Sequence, residues 1–128
     1  MTPAIMIVED DEPLRSTIAR HLRAHGYGVV EADSAEGAMD QIRDGWRPAL
    51  VILDINLPGD TGWSLLRDPG FTATGSVPVV VASATTINPR RLREYGVAGY
   101  LPKPFPLETL VATVERLIQP KEASIQDV

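Results

Sequence analysis

The 128-residue chain contains no cysteine. That excludes a disulfide framework, a thiolate metal site and a cysteine nucleophile. It has no basic surplus either. Twelve Lys and Arg stand against seventeen Asp and Glu, a net charge of −5, whereas a general nucleic-acid binder would be basic. No apolar run approaches the ~20 residues needed to span a membrane. The opening Met1-Thr2-Pro3-Ala4 carries no charged side chain, and the apolar run behind it is cut by Glu9, Asp10 and Asp11, so it does not read as a signal peptide. Histidine is scarce: His21 and His25 are four apart, a spacing able to hold a metal, but they lie away from the acids and read as a helix face. Repeats and low-complexity segments are absent. These exclusions, with 44% hydrophobic residues, leave a single-domain protein expected in the cytoplasm, without membrane insertion or direct nucleic-acid binding.

The most informative stretch is Leu50-Val51-Ile52-Leu53-Asp54, followed by the turn-forming Pro58-Gly59. A run that is apolar at every position suits a central parallel strand covered by helices on both faces. Ala4 to Val8 is a second such run, and Val77 to Ala82 a third, ending at Ser83-Ala84. Tyr27 to Ala32 and Gly99 to Leu101 are shorter strands, the former less apolar and so nearer an edge. Helices fill the intervals. Asp11 is positioned as an N-cap with Pro13 in the first turn, and Leu14, Ile18 and Leu22 share a face. Gly26 closes that helix. Ser34 caps the next, and Gly45 ends it. Trp63, Leu65 and Leu66 open a helix that Pro69-Gly70 should stop, leaving a loop from Phe71 to Ser76. Asn88-Pro89 opens a brief helix to Tyr95, and Leu107 to Ile118 forms the last one before Pro120. Five strand–helix units predict a parallel sheet with right-handed crossovers.

In such a sheet all carboxyl ends lie at one edge, where open α/β folds place ligands. Glu9 and Asp10 follow the first strand, Asp54 ends the third, Ser83 the fourth, and Lys103 follows the fifth. Three carboxylates, a hydroxyl and an ammonium should therefore meet. Clustered carboxylates raise one another's pKa unless a cation neutralises them. Oxygen ligands without imidazole or thiolate suit Mg²⁺. An Asp carboxylate can attack phosphorus, with metal and ammonium countering charge on the transferring group and a hydroxyl bonding a phosphoryl oxygen.

The motifs Ile7-Val8-Glu9-Asp10-Asp11, Leu53 to Gly62, Val81-Ala82-Ser83-Ala84 and Gly99 to Phe105 occur in an order and spacing that resembles the receiver domain of two-component response regulators. The resemblance covers residues 1–119 and leaves 120–128 as a tail or linker stub. It implies an α/β, flavodoxin-like (βα)5 three-layer sandwich with strand order 2-1-3-4-5. It implies that Asp54 accepts a phosphoryl group from a histidine kinase or phosphotransfer protein. Glu9 and Asp10 would hold Mg²⁺ directly or through water, and Asn56 would offer it a backbone carbonyl. Lys103 and Ser83 would contact the phosphoryl group, Ser83 and Tyr100 would form the switch, and the Lys103-Pro104 peptide would be cis. A phosphorylated state would be read on the surface of the Pro89–Tyr95 helix, the fifth strand and the last helix.

The chain departs from the family pattern in two places. The Ser83-to-Lys103 segment is short, so its helix should be stunted, and the third helix is interrupted at Pro69-Gly70. Both bear on dimerisation and output surfaces, so at most a weak homodimer is expected. The arginines Arg90, Arg91 and Arg93 read as a solvated face or a partner contact. A haloacid-dehalogenase-type phosphatase would need an Asp where Asn56 stands, and a flavodoxin would need a phosphate-cradling loop where Glu9-Asp10-Asp11 stand. A phosphorylation-independent binding module remains as the alternative. The expected activity is signalling rather than enzymatic, with slow self-dephosphorylation. The output is expected in a separate protein or in a missing output domain.

Overall fold

The apolar runs become the central strands. The computed structural model describes residues 4–43, 46–59, 61–72 and 77–118. In chain order the elements are β1 (Ala4–Val8), α1 (Glu12–Ala24), β2 (Gly28–Ala32), α2 (Ala35–Arg43), β3 (Leu50–Asp54), α3 (Gly62–Arg67), α4 (Pro69–Thr72), β4 (Val79–Ser83), α5 (Pro89–Glu94), β5 (Gly99–Pro102) and α6 (Leu107–Ile118). All strand pairs are parallel, in the order β2-β1-β3-β4-β5. Every residue of β3 and β4 is buried, while β2, an edge strand, is mostly half-buried.

The period of two along a strand divides the core into two layers. Met6, Val8, Val51, Leu53, Val79 and Val81 face one layer, with Ala38, Ile42, Leu65 and Leu66. Ile5, Ile7, Leu50, Ile52, Val80 and Leu101 face the other, with Ile18, Leu22, Leu110 and Val114. α1 and α6 thus cover one side of the sheet, and α2 and α3 the other.

Local signals set the helix ends. Asp11 Oδ1 accepts from the Leu14 N–H at 3.1 Å, Ser34 Oγ from Gly37 N–H at 3.0 Å, and Asn88 Oδ1 from Arg90 N–H at 2.8 Å. Gly26 and Gly96 follow α1 and α5 at positive φ, 93° and 66°, a region open to glycine. α5 is stunted as expected, with six residues and none of them buried.

The expected loop after Pro69-Gly70 and the start of the fourth strand both need correction. Phe71 does not begin a loop, because Pro69–Thr72 forms the helical turn α4 and Phe71 is buried. Proline stops α3 but suits a new first turn, and Asp68 Oδ1 accepts from the Gly70 N–H at 2.8 Å. Residues 73–76, Gly45, and the tail from 119 onward lie outside the described residues. β4 starts at Val79 rather than Val77 because Pro78 has no N–H for the ladder; its carbonyl still accepts from Val51 at 3.0 Å.

Candidate functional site

The strand register brings the polar residues to one edge. Asp54, the last residue of β3, pairs with Ala82 of β4, and Ser83 pairs with Pro102 of β5. Lys103 follows directly, its N–H donating to the Ser83 carbonyl at 2.8 Å. Glu9 follows β1, its N–H donating to the Ala32 carbonyl. Among the described residues, Glu9, Asp54 and Ser83 are the buried polar ones, at 3%, 4% and 1% exposure. Asp10 is exposed beside them.

Lys103 is the hub. Its Nζ donates to Glu9 Oε1 at 2.6 Å and to Asp54 Oδ2 at 3.0 Å. The other oxygens accept from backbone: Asp54 Oδ1 from Asn56 N–H at 2.9 Å and Glu9 Oε2 from Asp11 N–H at 3.1 Å. The Lys103-Pro104 peptide is cis. One oxygen each of Glu9, Asp10 and Asp54 lies within 4.8 Å of the others. Burial pushes the Glu9 carboxyl up to about 7, Asp54 adding to the rise while Lys103 and the Asp11 N–H oppose it. Burial by itself would lower the Lys103 ammonium, but its bonds to Glu9 and Asp54 outweigh that and raise it. Three acids against one ammonium leave negative charge uncompensated. The donor set, all carboxylate oxygen, fits a hard divalent cation.

Ser83 is already engaged. Its Oγ donates to Asn56 Oδ1 at 2.9 Å and accepts from the Thr85 N–H at 3.0 Å. Tyr100 is half-buried, and its hydroxyl donates to the Thr85 carbonyl at 3.3 Å. All the predicted site residues except Tyr100 therefore converge on the acid cluster or its immediate partners, and Tyr100 reaches Ser83 through Thr85.

The family model of the response regulator receiver domain matches residues 5–115. The chain belongs to this family. The receiver is 32% identical over 122 residues to the phosphate regulon transcriptional regulatory protein PhoB of Escherichia coli K12, covering 93% of the chain and 53% of PhoB. It is 34% identical to the response regulator MprA of Mycobacterium sp. strain KMS, covering 93% and 52%. It thus spans about half the length of these curated relatives. Among solved structures it is similar to the non-phosphorylated HemR receiver domain of Leptospira biflexa, at 32% identity and TM-score 0.78, covering 93% of this chain and 96% of that one. It is also similar to the chemotaxis protein CheY4 of Vibrio cholerae, at 25% identity and TM-score 0.82, covering 91% and 99%.

Two residues of the receiver's site were not singled out from sequence. Thr85 links Ser83 to Tyr100, and only its place two residues beyond a strand-end serine hints at this. Gly62 brings α3 against the site. A Cβ there would stand 2.8 Å from both the Asp54 carbonyl oxygen and the Ile55 Cα, while its N–H donates to the Ile55 carbonyl at 3.1 Å. Both obstacles are backbone and cannot swing aside. Gly62→Ala is expected to destabilise the receiver by about 1–3 kcal/mol, the cost of forced overpacking, read as a lower midpoint in urea.

Proposed function

We propose that this receiver takes a phosphoryl group on Asp54 from a histidine kinase or phosphotransfer protein, with Mg²⁺ held by Glu9, Asp10, Asp54 and the Asn56 carbonyl. The observation that carries this is the Asp54 carboxylate itself: buried, bonded at one oxygen by the Asn56 N–H and at the other by Lys103, and beside two further acids. Mg²⁺ bound there would neutralise charge on the transferring group. An Asp54 oxygen attacks phosphorus, an O–P bond forms, the donor's P–N bond breaks and its imidazole departs. The Lys103 ammonium, already 3.0 Å from Asp54 Oδ2, follows the charge onto a phosphoryl oxygen. Slow return of the phosphoryl group to water would end the signal.

The new charge and acceptor oxygens draw the Ser83 hydroxyl away from Asn56 Oδ1. Tyr100 then loses its fixed Thr85 partner and moves inward, changing the face of α5, β5 and α6. A downstream protein or an output domain would read that face, in a cytoplasmic setting. The shift is only as large as the difference in phosphoryl contacts between the two states.

Intact mass after incubation with acetyl phosphate tests the reading. One added phosphoryl group is expected with Mg²⁺ and none with a chelator. No adduct, together with no response to Mg²⁺ and beryllofluoride, would sink it. A second expectation concerns pH. A proton on Glu9 competes with the cation. With the carboxyl at about 7, Mg²⁺ affinity should be roughly tenfold weaker at about pH 6 than at about pH 8. Titration calorimetry at the two pH values measures it, and equal affinities would remove Glu9 from the ion's field.

A further inference from the structure

α5 poses a question of attachment. Six residues do not hold a helix on their own, and α5 buries none of them. Leu92 rests half-buried against the core, and a side-chain stack fastens the rest of the helix to α3. The Arg91 guanidinium lies 4.1 Å from the Trp63 ring centroid. The Tyr95 ring lies 4.9 Å from Trp63, inclined at 37°. Arg67 Nη1 donates to the Tyr95 hydroxyl at 2.9 Å, and this bond lowers that hydroxyl's pKa. The pattern is a cation on α5 and an aromatic at its C-cap gripping an aromatic and a cation on α3.

Trp63 also borders the acid cluster. It lines a groove with Asp10, Ile55, Asn56 and Leu57. Its neighbour Gly62 rests on the Asp54 and Ile55 backbone with no room for a Cβ. Trp63 is itself buried, at 8% exposure, so its ring is packed between the site and α5.

We infer that Trp63 is a positioning residue that couples the Asp54 site to α5 by a route separate from Ser83 and Tyr100. The inference rests on the phosphoacceptor reading above. A phosphoryl group on Asp54 must compete for the Asn56 N–H or for Lys103, shifting the start of the loop whose end carries Trp63. Interiors this closely packed repack rather than deform smoothly. The Arg91 and Tyr95 contacts then transmit the shift to α5, whose remaining arginines Arg90 and Arg93 face solvent.

Hydrogen exchange over residues 89–95 tests it. The double variant Arg91→Gln/Tyr95→Leu leaves Trp63 and the acids in place. Without any phosphodonor it is expected to exchange about tenfold faster there than the wild type, since one cation–π contact, one ring contact and the Arg67–Tyr95 hydrogen bond are lost. With Mg²⁺ and beryllofluoride the wild type should change its protection in this segment. The double variant should lose that change yet still take one phosphoryl group from acetyl phosphate. Trp63→Phe, which keeps an aromatic face, should retain the response, and Trp63→Leu should lose it. Unchanged basal exchange in the double variant, or a full beryllofluoride response in it, overturns the coupling while leaving the phosphoacceptor intact. If the wild type neither takes up a phosphoryl group nor responds to beryllofluoride, the phosphoacceptor reading fails and the coupling falls with it.

Discussion

Replacing Asp54 with Asn is expected to abolish phosphoryl uptake from a small donor, with intact mass showing no adduct where the wild type gains one. Asn is the informative choice because it preserves shape. Its Oδ1 can still accept from the Asn56 N–H, which bonds Asp54 at 2.9 Å, so the 55–62 loop keeps its anchor. The second oxygen becomes an amide nitrogen facing the Lys103 ammonium, where the wild type has a 3.0 Å ion pair. An amide is neither an anionic nucleophile nor a ligand of comparable strength, so attack on phosphorus and part of the cation affinity go together. Stability should fall far less. Removing one of two adjacent buried carboxylates also relieves the repulsion that contributes to the raised Glu9 carboxyl. Urea unfolding beside the mass measurement separates the two effects. Phosphoryl uptake persisting in Asp54→Asn would move the acceptor to another oxygen, with Asp10 and Ser83 the nearest candidates.

The sheet and its acid edge were legible because their signals are local and redundant. Ala4–Val8, Leu50–Asp54 and Val79–Ser83 are apolar along nearly their whole length, which leaves little choice but a doubly covered strand. Once strands are parallel, topology alone places Glu9, Asp54, Ser83 and Lys103 together; no residue's neighbours need be known. The strand order itself came from the family resemblance, not from periodicity. The α4 turn was hidden because Pro69-Gly70 carries two breaker signals, and only the burial of Phe71 and the Asp68 cap decide that a new turn starts there. Thr85 was hidden because its role depends on three residues far apart in sequence, Asn56, Ser83 and Tyr100. The same holds for Trp63, Arg91 and Tyr95. An aromatic at the start of an amphipathic helix reads as core, which Trp63 is, and nothing in its spacing announces an arginine from another helix over its ring.

Replacing Lys103 with Met should have the largest effect on stability, and an effect whose size changes with pH in a defined way. Met keeps length and apolar stem but removes the ammonium that bonds Glu9 at 2.6 Å and Asp54 at 3.0 Å. Two buried carboxylates are then left facing each other without a counter-charge. Removing one partner of a buried pair costs about 3–5 kcal/mol, and the lower end applies here, since Lys103 is 17% exposed and Glu9 can take up a proton. The wild-type Glu9 carboxyl already sits at about 7, above its ordinary 4.5, and without Lys103, which holds it down, it rises further. A carboxyl raised on folding binds its proton more tightly in the native than in the unfolded state. Stability is therefore greatest below about 4.5 for this group and is lost as pH rises toward and through its folded value. In Lys103→Met the loss extends to higher pH and is deeper, so the gap between wild type and variant should be about 3 kcal/mol near pH 8 and narrow as Glu9 protonates near pH 5. Saturating Mg²⁺ should narrow it as well, because a cation binding only the folded form stabilises it in proportion to its affinity, and the variant's acids have lost their competing ammonium. Urea midpoints at the two pH values, with and without Mg²⁺, measure all three differences. A gap that stays constant across pH and metal would show that Lys103 supports the fold by packing rather than by charge. Phosphoryl uptake should also fall in this variant even where Mg²⁺ restores its stability, since the ammonium that follows charge onto the phosphoryl oxygen is gone.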